Sequence, residues 1–554
     1  MTRSTALLLA APPLAFVGLF FLWPVANILA LGIAPGGSLA LGGVFAAWRE
    51  PYVLDVVLFT VGLATVSTAL TLLLGLPVAW VFARFDFPGR RVARALTVVP
   101  FVLPTVVVGS AFLALLGPRS PLNAAAEAIL GPDVPQVRLD GSAAAIVIAH
   151  VFYNVAVVVR LVGGLWEHLD VRSEEAARVL GASPWRAFRE VTWPLLRPAV
   201  ISAASIVFLF TVTSFGVVLL LGGPRDTTLE VEIYRQTAIL LDLPTAAALT
   251  ILQMAGILVL LLASARAQER LAVQQHLAAA GTTARRPRPG RERLVVAGIL
   301  VATAVFMLTP LLVLVERALA GPDGYGVEAF AALLREDPRT RLAAAPIGAV
   351  VDSLLFAVAT TLLAGSLGLL AAAVVGYRRG WLSRSMDALI MLPLGTSAVI
   401  VGFGFLVALD TPPIDLRTSI LLIPIAHSLI ALPFVMRAVV PVIRSIDDRL
   451  REAAAVLGAS PARAWREVDA PILGRAALVG AGFAFAISLG EFGATLFIAR
   501  PDTVTIPVAI FRLLGQPGAA NFATAMALAT VLMGLSAGAV LLIERLRGRG
   551  PQPF

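Results

Sequence analysis

The chain of 554 residues is 58% hydrophobic and only 14% charged, with a mean hydropathy of +0.90. Soluble domains carry about a quarter charged residues, so most of this sequence is written for lipid. It has no Cys, which excludes disulfides and thiolate metal sites, and no Lys, which excludes the lysine of a phosphate-binding P-loop and an ATPase built on it. The net charge of +9 resides on arginines clustered at 84–94, 172–197, 266–293, 378–384, 437–475 and 545–549, each beside an apolar run. Such clusters mark the cytoplasmic loops of a membrane protein rather than a nucleic-acid surface.

Apolar stretches of about 20 residues cross the hydrocarbon as helices. The first, 8–32, is too long for a secretory signal and lacks a cleavage site, so it is expected to remain a membrane helix. Spans at 53–83, 94–117 and 142–165 follow, then an Arg-bearing polar loop, then spans at 199–222 and 244–264. A polar stretch, 265–293, comes next; its Thr282–Arg291 portion, with Arg285-Arg286-Pro287-Arg288-Pro289-Gly290, reads as a flexible linker. Six more spans occupy 294–316, 347–376, 386–408, 418–441, 476–498 and 520–543. Placing every Arg cluster on one side puts both termini, the linker and both long polar loops in the cytoplasm.

The two sets of six are copies. Glu175-Ala176-Ala177-Arg178-Val179-Leu180-Gly181-Ala182-Ser183-Pro184 reads almost as Glu452-Ala453-Ala454-Ala455-Val456-Leu457-Gly458-Ala459-Ser460-Pro461, 277 residues on. The same offset relates His150 to His427, Arg160 to Arg437, Phe215-Gly216 to Phe492-Gly493 and Arg235 to Arg512. Upstream it lengthens to 293 for Pro100 and Pro393, and to 297 for Asp55-x-x-Leu58-Phe59 and Asp352-x-x-Leu355-Phe356. The expected organisation is a repeat over 1–264, a linker over 265–293 and a second repeat over 294–554. An even number of helices per copy makes the repeats parallel.

Each polar loop reads as helix, sharp turn, helix. Ser173 in the first copy and Asp447 or Asp448 in the second suit an N-cap, with Glu174 and Glu175 favoured in the first turn. Gly181 and Gly458 suit a left-handed helix end, and Ser183-Pro184 and Ser460-Pro461 suit a new N-cap with Pro at the first position. Ala176, Ala177 and Leu180, like Ala453, Ala454 and Leu457, share a small-residue face open to close approach. One such hairpin is ordinary; two in matched register favour a two-fold partner.

The paired E-A-A-x-x-x-G loops, each followed by an apolar residue and Pro (Val191-Thr192-Trp193-Pro194 and Val468-Asp469-Ala470-Pro471), resemble the signature of permease subunits of bacterial ABC importers. The usual I-x-L-P ending is changed, keeping its apolar residue and Pro. The resemblance implies an all-α membrane protein with twelve transmembrane helices in two parallel six-helix repeats, the type I importer permease fold in fused form. It implies coupling through Glu175, Ala176, Ala177, Leu180, Gly181, Glu452, Ala453, Ala454, Leu457 and Gly458 to a separate pair of identical ATPase subunits. Those subunits bind the ATP, and the permease itself needs no cofactor. It further implies a bacterial inner-membrane location and a periplasmic or lipid-anchored solute-binding protein. Thr213 to Pro224 with Thr227-Thr228-Leu229-Glu230 and Ile233-Tyr234 is similar to the thiamine importer permeases, whereas Gly490-Glu491-Phe492-Gly493-Ala494-Thr495 is also common in iron(III) permeases. Thiamine or a phosphorylated form is the expected substrate, with iron(III) the alternative.

Few other residues suggest chemistry. His150 and His427 have no ligand-type neighbour at i+3 or i+4, so a repeat-related packing hydrogen bond is expected rather than a metal. Asp55 and Asp352 are expected at helix starts. Glu491, opposite Ser214 in the repeat, is either a substrate-path carboxylate or a capped and paired structural one. With Ser214, Phe215 and Phe492 it forms the candidate lining of the translocation path. An ion-driven carrier, whose helices tend to be discontinuous and whose halves are commonly inverted, fits the even count and matched loops poorly. A membrane enzyme lacks any nucleophile–base pair.

Overall fold

The computed structural model describes residues 3–34, 38, 41–131, 134–136, 138–271, 284–321, 324–340, 342–411 and 414–547. The first half contains α1 (Ser4–Ile33), α2 (Pro51–Arg84), α3 (Arg90–Val102), α4 (Thr105–Leu116), α5 (Ala143–His168), α6 (Val171–Val179), α7 (Trp193–Val212), α8 (Gly216–Leu221), α9 (Leu229–Tyr234) and α10 (Leu243–Leu271). The second half repeats them as α11 (Arg291–Leu319), α12 (Ile347–Tyr377), α13 (Trp381–Met391), α14 (Ala398–Ala408), α15 (Leu422–Ser445), α16 (Asp448–Val456), α17 (Ala470–Gly490), α18 (Gly493–Ile498), α19 (Ile506–Leu514) and α20 (Ala519–Arg547). Two-residue hairpin ladders at Ala320–Gly321 with Gly324–Tyr325, and at Asp410–Thr411 with Ile414–Asp415, are the strands among the described residues. Eleven described helices are long and apolar enough to cross a membrane, and twelve if the bent α13–α14 pair counts as one span.

Within each half, α2, α5 and α7 pack together, as do α12, α15 and α17. The seam is set by size. A Cβ on Gly75 would lie 2.8 Å from Val158, and one on Gly368 would lie 2.6 Å from Val435, so only glycine lets the two backbones approach this closely. Both first helices cross over: α1 packs on α12 and α14, and α11 on α2, α3 and α4. Phe20 against Phe405 and Phe306 against Phe152, with ring centroids 6.3 and 5.9 Å apart, anchor the exchange.

The matched glycines also correct the register expected for α2. Gly75 and Gly368 differ by 293, not 297, and their partners Val158 and Val435 by 277. Thr60, which accepts from the Leu229 amide, and Ser353, which accepts from the Ile506 amide, repeat the 293. Asp55 and Asp352 are therefore not equivalent. The mistaken pairing is off by four residues, about one helical turn, which leaves the apolar face unchanged and hides the slip.

The spans expected at 94–117, 199–222, 386–408 and 476–498 are not continuous helices. The first breaks at Leu103–Pro104, where proline forces the preceding residue into an extended conformation (Leu103 ψ 141°). Its repeat breaks at Thr396–Ser397, bent by 98°. The fifth helix of each half breaks before a Phe–Gly pair, at Thr213–Phe215 and at Glu491–Phe492. Thr211 and Thr213 donate back to the Val207 and Leu209 carbonyls (2.8 and 2.9 Å), weakening the helix just before it ends. Discontinuous helices thus occur here too, and they do not separate a carrier from an importer.

The expected linker is part docked and part outside the described residues (272–283). Arg285 bridges in parallel to Phe85: its amide donates to the Arg84 carbonyl (3.1 Å), and its carbonyl accepts from Asp86 (2.9 Å). Its guanidinium lies over the Phe85 ring and pairs with Glu292 (2.5 Å). The Arg285–Gly290 stretch is tied to the end of α2 rather than free.

Candidate functional site: two surface hairpins and a central aromatic closure

On the Arg-rich face, α6 and α16 are short helices with no buried residue. Asp170, not Ser173, is the first N-cap, accepting from Arg172 N (3.0 Å); Asp447 does the same for Arg449 N (2.9 Å). Both helices end in the same left-handed turn. Gly181 (φ +92°) donates to the Arg178 carbonyl while Ala182 donates to Ala177. Gly458 (φ +83°) donates to Ala455 while Ala459 donates to Ala454. This double bond pattern satisfies the last carbonyls of the helix and needs glycine at the turn. Ser183 and Ser460 then cap the next helix through Arg186 N and Arg463 N, with Pro184 and Pro461 at its first position.

The turn throws apolar side chains outward. Leu180 is 86% exposed and Leu457 87%, with Val179 and Val456 beside them and Trp185 and Trp465 also exposed. Glu175, Ala176, Glu452 and Ala453 are exposed on the same hairpins, with Ala177 and Ala454 half-buried behind. A large apolar residue at the tip of a charged surface loop is out of place unless another surface covers it.

A three-residue node that the sequence did not reveal holds each hairpin against the membrane helices. In the first copy Arg84, the last residue of α2, pairs with Glu174 (2.5 Å), which also accepts from Thr192 (3.1 Å). In the second, Arg451 forks onto Asp469 (2.5 and 3.1 Å), which also accepts from Tyr377 at the end of α12 (2.8 Å). Arg451 and Asp469 occupy the positions of Glu174 and Thr192, 277 residues on, and Tyr377 that of Arg84, so the ion pair has moved to different positions of the same node. The hydrogen bond to Asp469 holds the Arg451 guanidinium above its ordinary pKa.

The second group lies between the halves. Phe215 and Phe492, equivalent residues at the two helix breaks, stack on one another (centroids 5.6 Å, planes 26° apart). Tyr234 and Phe511, also equivalent, flank them at 5.5 and 5.7 Å, and Phe497 meets Tyr234 edge-on at 5.5 Å. Two residues related by the repeat can touch only on the pseudo-two-fold axis. The axis is therefore occupied here by stacked rings.

Ser214 and Glu491, at equivalent positions, both bond the histidine of their half. His150 Nε2 bonds Ser214 Oγ (2.8 Å) and its Nδ1 bonds Ser67 Oγ (3.3 Å). His427 Nε2 lies 2.8 Å from Thr495 Oγ1 and 3.3 Å from Glu491 Oε2, and its Nδ1 bonds Ser488 (2.7 Å). Both histidines make helix-packing hydrogen bonds. Glu491 also accepts the amides of Ala494 and Thr495 (2.8 and 3.0 Å), which makes it the cap of α18 and a paired carboxylate.

Two further carboxylates escaped the sequence reading as site candidates. Glu232 accepts from Tyr52 and Gln236 and pairs with Arg235 (3.4 Å). Glu230 is fully buried and accepts from Ser397 of the other half (2.8 Å) and from Gln253. Their second-half positions are Pro507 and Ala509, and no periodicity flags them.

The sequence profile of the family described as binding-protein-dependent transport system inner membrane component matches residues 72–273 and 364–545. The chain is 29% identical over 553 residues to the thiamine transport system permease protein ThiP of Brucella abortus (strain 2308), covering 96% of each chain. It is 26% identical over 515 residues to the protein of that name from Escherichia coli (strain K12), covering 91% of each. It is 37% identical over 178 residues to the molybdenum transport system permease protein ModB of Azotobacter vinelandii, covering 32% of this chain and 76% of that one. Two matched hairpins, two parallel repeats closing on one axis and a family profile that fits both halves lead to one conclusion: the chain belongs to the binding-protein-dependent transport system inner membrane components and is the multi-pass permease of an ABC importer.

Proposed function

We propose that the chain carries thiamine, or a phosphorylated form of it, inward across the inner membrane, driven by a separate pair of ATPase subunits docked on its two hairpins. The observation that carries the coupling role is the repeated exposure of Leu180 and Leu457 on identical glycine-terminated turns. Full-length similarity to permeases named for thiamine supports the substrate. ATP binds the partner subunits, and a solute-binding protein delivers thiamine to the opposite face. The Arg clusters support a cytoplasmic side for the hairpins, the linker and both termini.

Mechanically, a two-fold ATPase pair that closes on nucleotide moves α6 and α16 together. The nodes at Arg84 and Arg451 pass that movement to α2, α7, α12 and α17. Parting the halves separates Phe215 from Phe492, a stack worth about 0.5–1.5 kcal/mol, and opens the axis. Small forces suffice to shift such an equilibrium. Uptake in cells lacking their own thiamine importer tests the reading. Growth on trace thiamine that depends on this chain, and is lost in a Leu180→Asp, Leu457→Asp double variant together with ATPase co-purification, is expected; rescue of iron(III) uptake alone would overturn it.

A further inference from the structure

Glu230 is a carboxyl buried between the halves with no arginine or histidine within ion-pair reach among the described residues. Its two partners, Ser397 and Gln253, are neutral donors. A buried carboxyl without a counter-ion is kept neutral by desolvation, which here raises its pKa to about 8, so its charged form is favoured only when a cation arrives beside it. Two polar atoms in the same region are also unpartnered in the interior: Gln253 Oε1, on the amide that donates to Glu230, and Thr228 Oγ1, two residues earlier in the chain. One helical turn on stands Tyr234, whose ring meets Phe215 and through it Phe492. From the other half, Ser397 adjoins Ala398, which lies so close to Gly493, the neighbour of Phe492, that a Cβ on Gly493 would sit 2.9 Å from it.

A carboxylate, spare oxygen acceptors and aromatic faces together complement a flat organic cation that carries N–H donors. Metal ions would want more oxygen ligands than one carboxylate supplies. The second half has Pro507 in place of Glu230, so only one such site exists on the axis.

We infer that Glu230, with Tyr234, Phe215 and Phe492, forms the recognition site of the path for an aromatic organic cation, and that Ser397 and Gln253 occupy the carboxylate while the halves are closed. This rests on the thiamine reading above, and it assigns the cationic ring of that substrate to the first half. Parting of the halves withdraws Ser397 and exposes the carboxylate and the rings at the same moment. A neutral analogue gains only the rings.

The full complex of this chain, its ATPase and its solute-binding protein in proteoliposomes provides the test. Uptake rates are compared for thiamine and for the analogue whose thiazolium is replaced by a neutral thiophene, each presented on saturating loaded binding protein so that binding-protein affinity drops out. The parent is expected to favour the cation by about tenfold or more, the scale of one partly desolvated charge contact, since the quaternary thiazolium nitrogen has no N–H to donate. E230Q, isosteric and still able to bond Ser397, should bring the ratio near unity, and E230D should keep most of it. Should E230Q fail to co-purify with the ATPase, Tyr234→Ala reads the same ratio through the lost ring and should lower it. An unchanged ratio in E230Q, or in Tyr234→Ala where that variant is used, overturns the site, as does a parent that carries thiamine without preferring the cation; both leave the thiamine reading standing. A parent that carries no thiamine overturns both.

Discussion

Removing Arg451 should uncouple the second hairpin more than its partial exposure suggests. Its guanidinium makes bonds of 3.0, 3.1 and 2.5 Å to Asp469, whose carboxylate is buried and, among the described residues, otherwise accepts from Tyr377 alone. Stranding a buried carboxylate costs about 3–5 kcal/mol in a fully buried pair. Arg451 is partly solvated and the Tyr377 hydroxyl remains, so about 2 kcal/mol is the appropriate figure here. If the node's whole contribution to hairpin orientation is lost, ATPase docking through that hairpin weakens by up to about thirtyfold. Arg451→Leu should show this as reduced ATPase co-purification and reduced ATP-driven uptake. Adding Asp469→Thr, which restores the residue of the first copy, removes the stranded charge and should recover most of the loss. The two changes should therefore be non-additive by about 1–2 kcal/mol in a double-mutant cycle. Additive losses, or an Arg451→Leu variant that docks the ATPase like the parent, would refute the node as the element that orients the hairpin.

The turns should be less forgiving than the helices they end: Gly181→Val or Gly458→Val forces a β-branched residue to positive φ and should abolish uptake while membrane insertion, read by expression and protease resistance, stays intact. Phe215→Ala and Phe492→Ala should each raise ATP-independent solute leak in proteoliposomes, with the double variant leaking little more than either single one because each breaks the same stack; a sealed double variant would contradict an axial closure. A reporter fused at Arg288 should register as cytoplasmic, and a periplasmic signal there would invert the topology.

Much of the architecture was legible because lipid makes it so. Span number follows from hydropathy, and the turn chemistry of Gly181, Ser183 and Pro184 is local, so its repetition at Gly458, Ser460 and Pro461 announced the hairpins. What stayed hidden depends on tertiary neighbours. The register of α2 slipped by one turn because its apolar face looks the same from either position. The breaks at Thr213–Phe215 and Glu491–Phe492 carry no proline, and the sequence there is as apolar as a continuous span. Ser173 was displaced as N-cap by Asp170, a carboxylate three residues earlier that serves equally well by type. Glu491 showed itself as an intramembrane carboxylate, but only the amides of Ala494 and Thr495 and the ring of His427 reveal that it is already engaged. The relocated charges of the two nodes could not be found by matching motifs, since the residues at matched positions are unlike.

The pattern of symmetry kept and symmetry broken is itself informative about which parts meet which partner. The glycine-ended hairpins, the Gly75 and Gly368 seams, the helix breaks and the Phe215–Phe492 pair are duplicated nearly residue for residue. Of these, the hairpins are the elements proposed to meet a two-fold ATPase and the Phe215–Phe492 pair lies on the shared axis, where any asymmetry would make one half move against the other. Arg84–Glu174 and Arg451–Asp469 differ in chemistry but not in function, because a tether needs a neutralised pair and not a particular direction of charge. Glu230 and Glu232 have no counterpart at Pro507 and Ala509, and Ser214 faces Glu491 across the repeat. A solute without two-fold symmetry cannot be bound by two identical half-sites at once, so selection for its recognition acts on one half alone. In a permease of two identical chains every such feature would appear twice; fusing the halves into one chain lets Glu230 stand in the first half and Pro507 in the second.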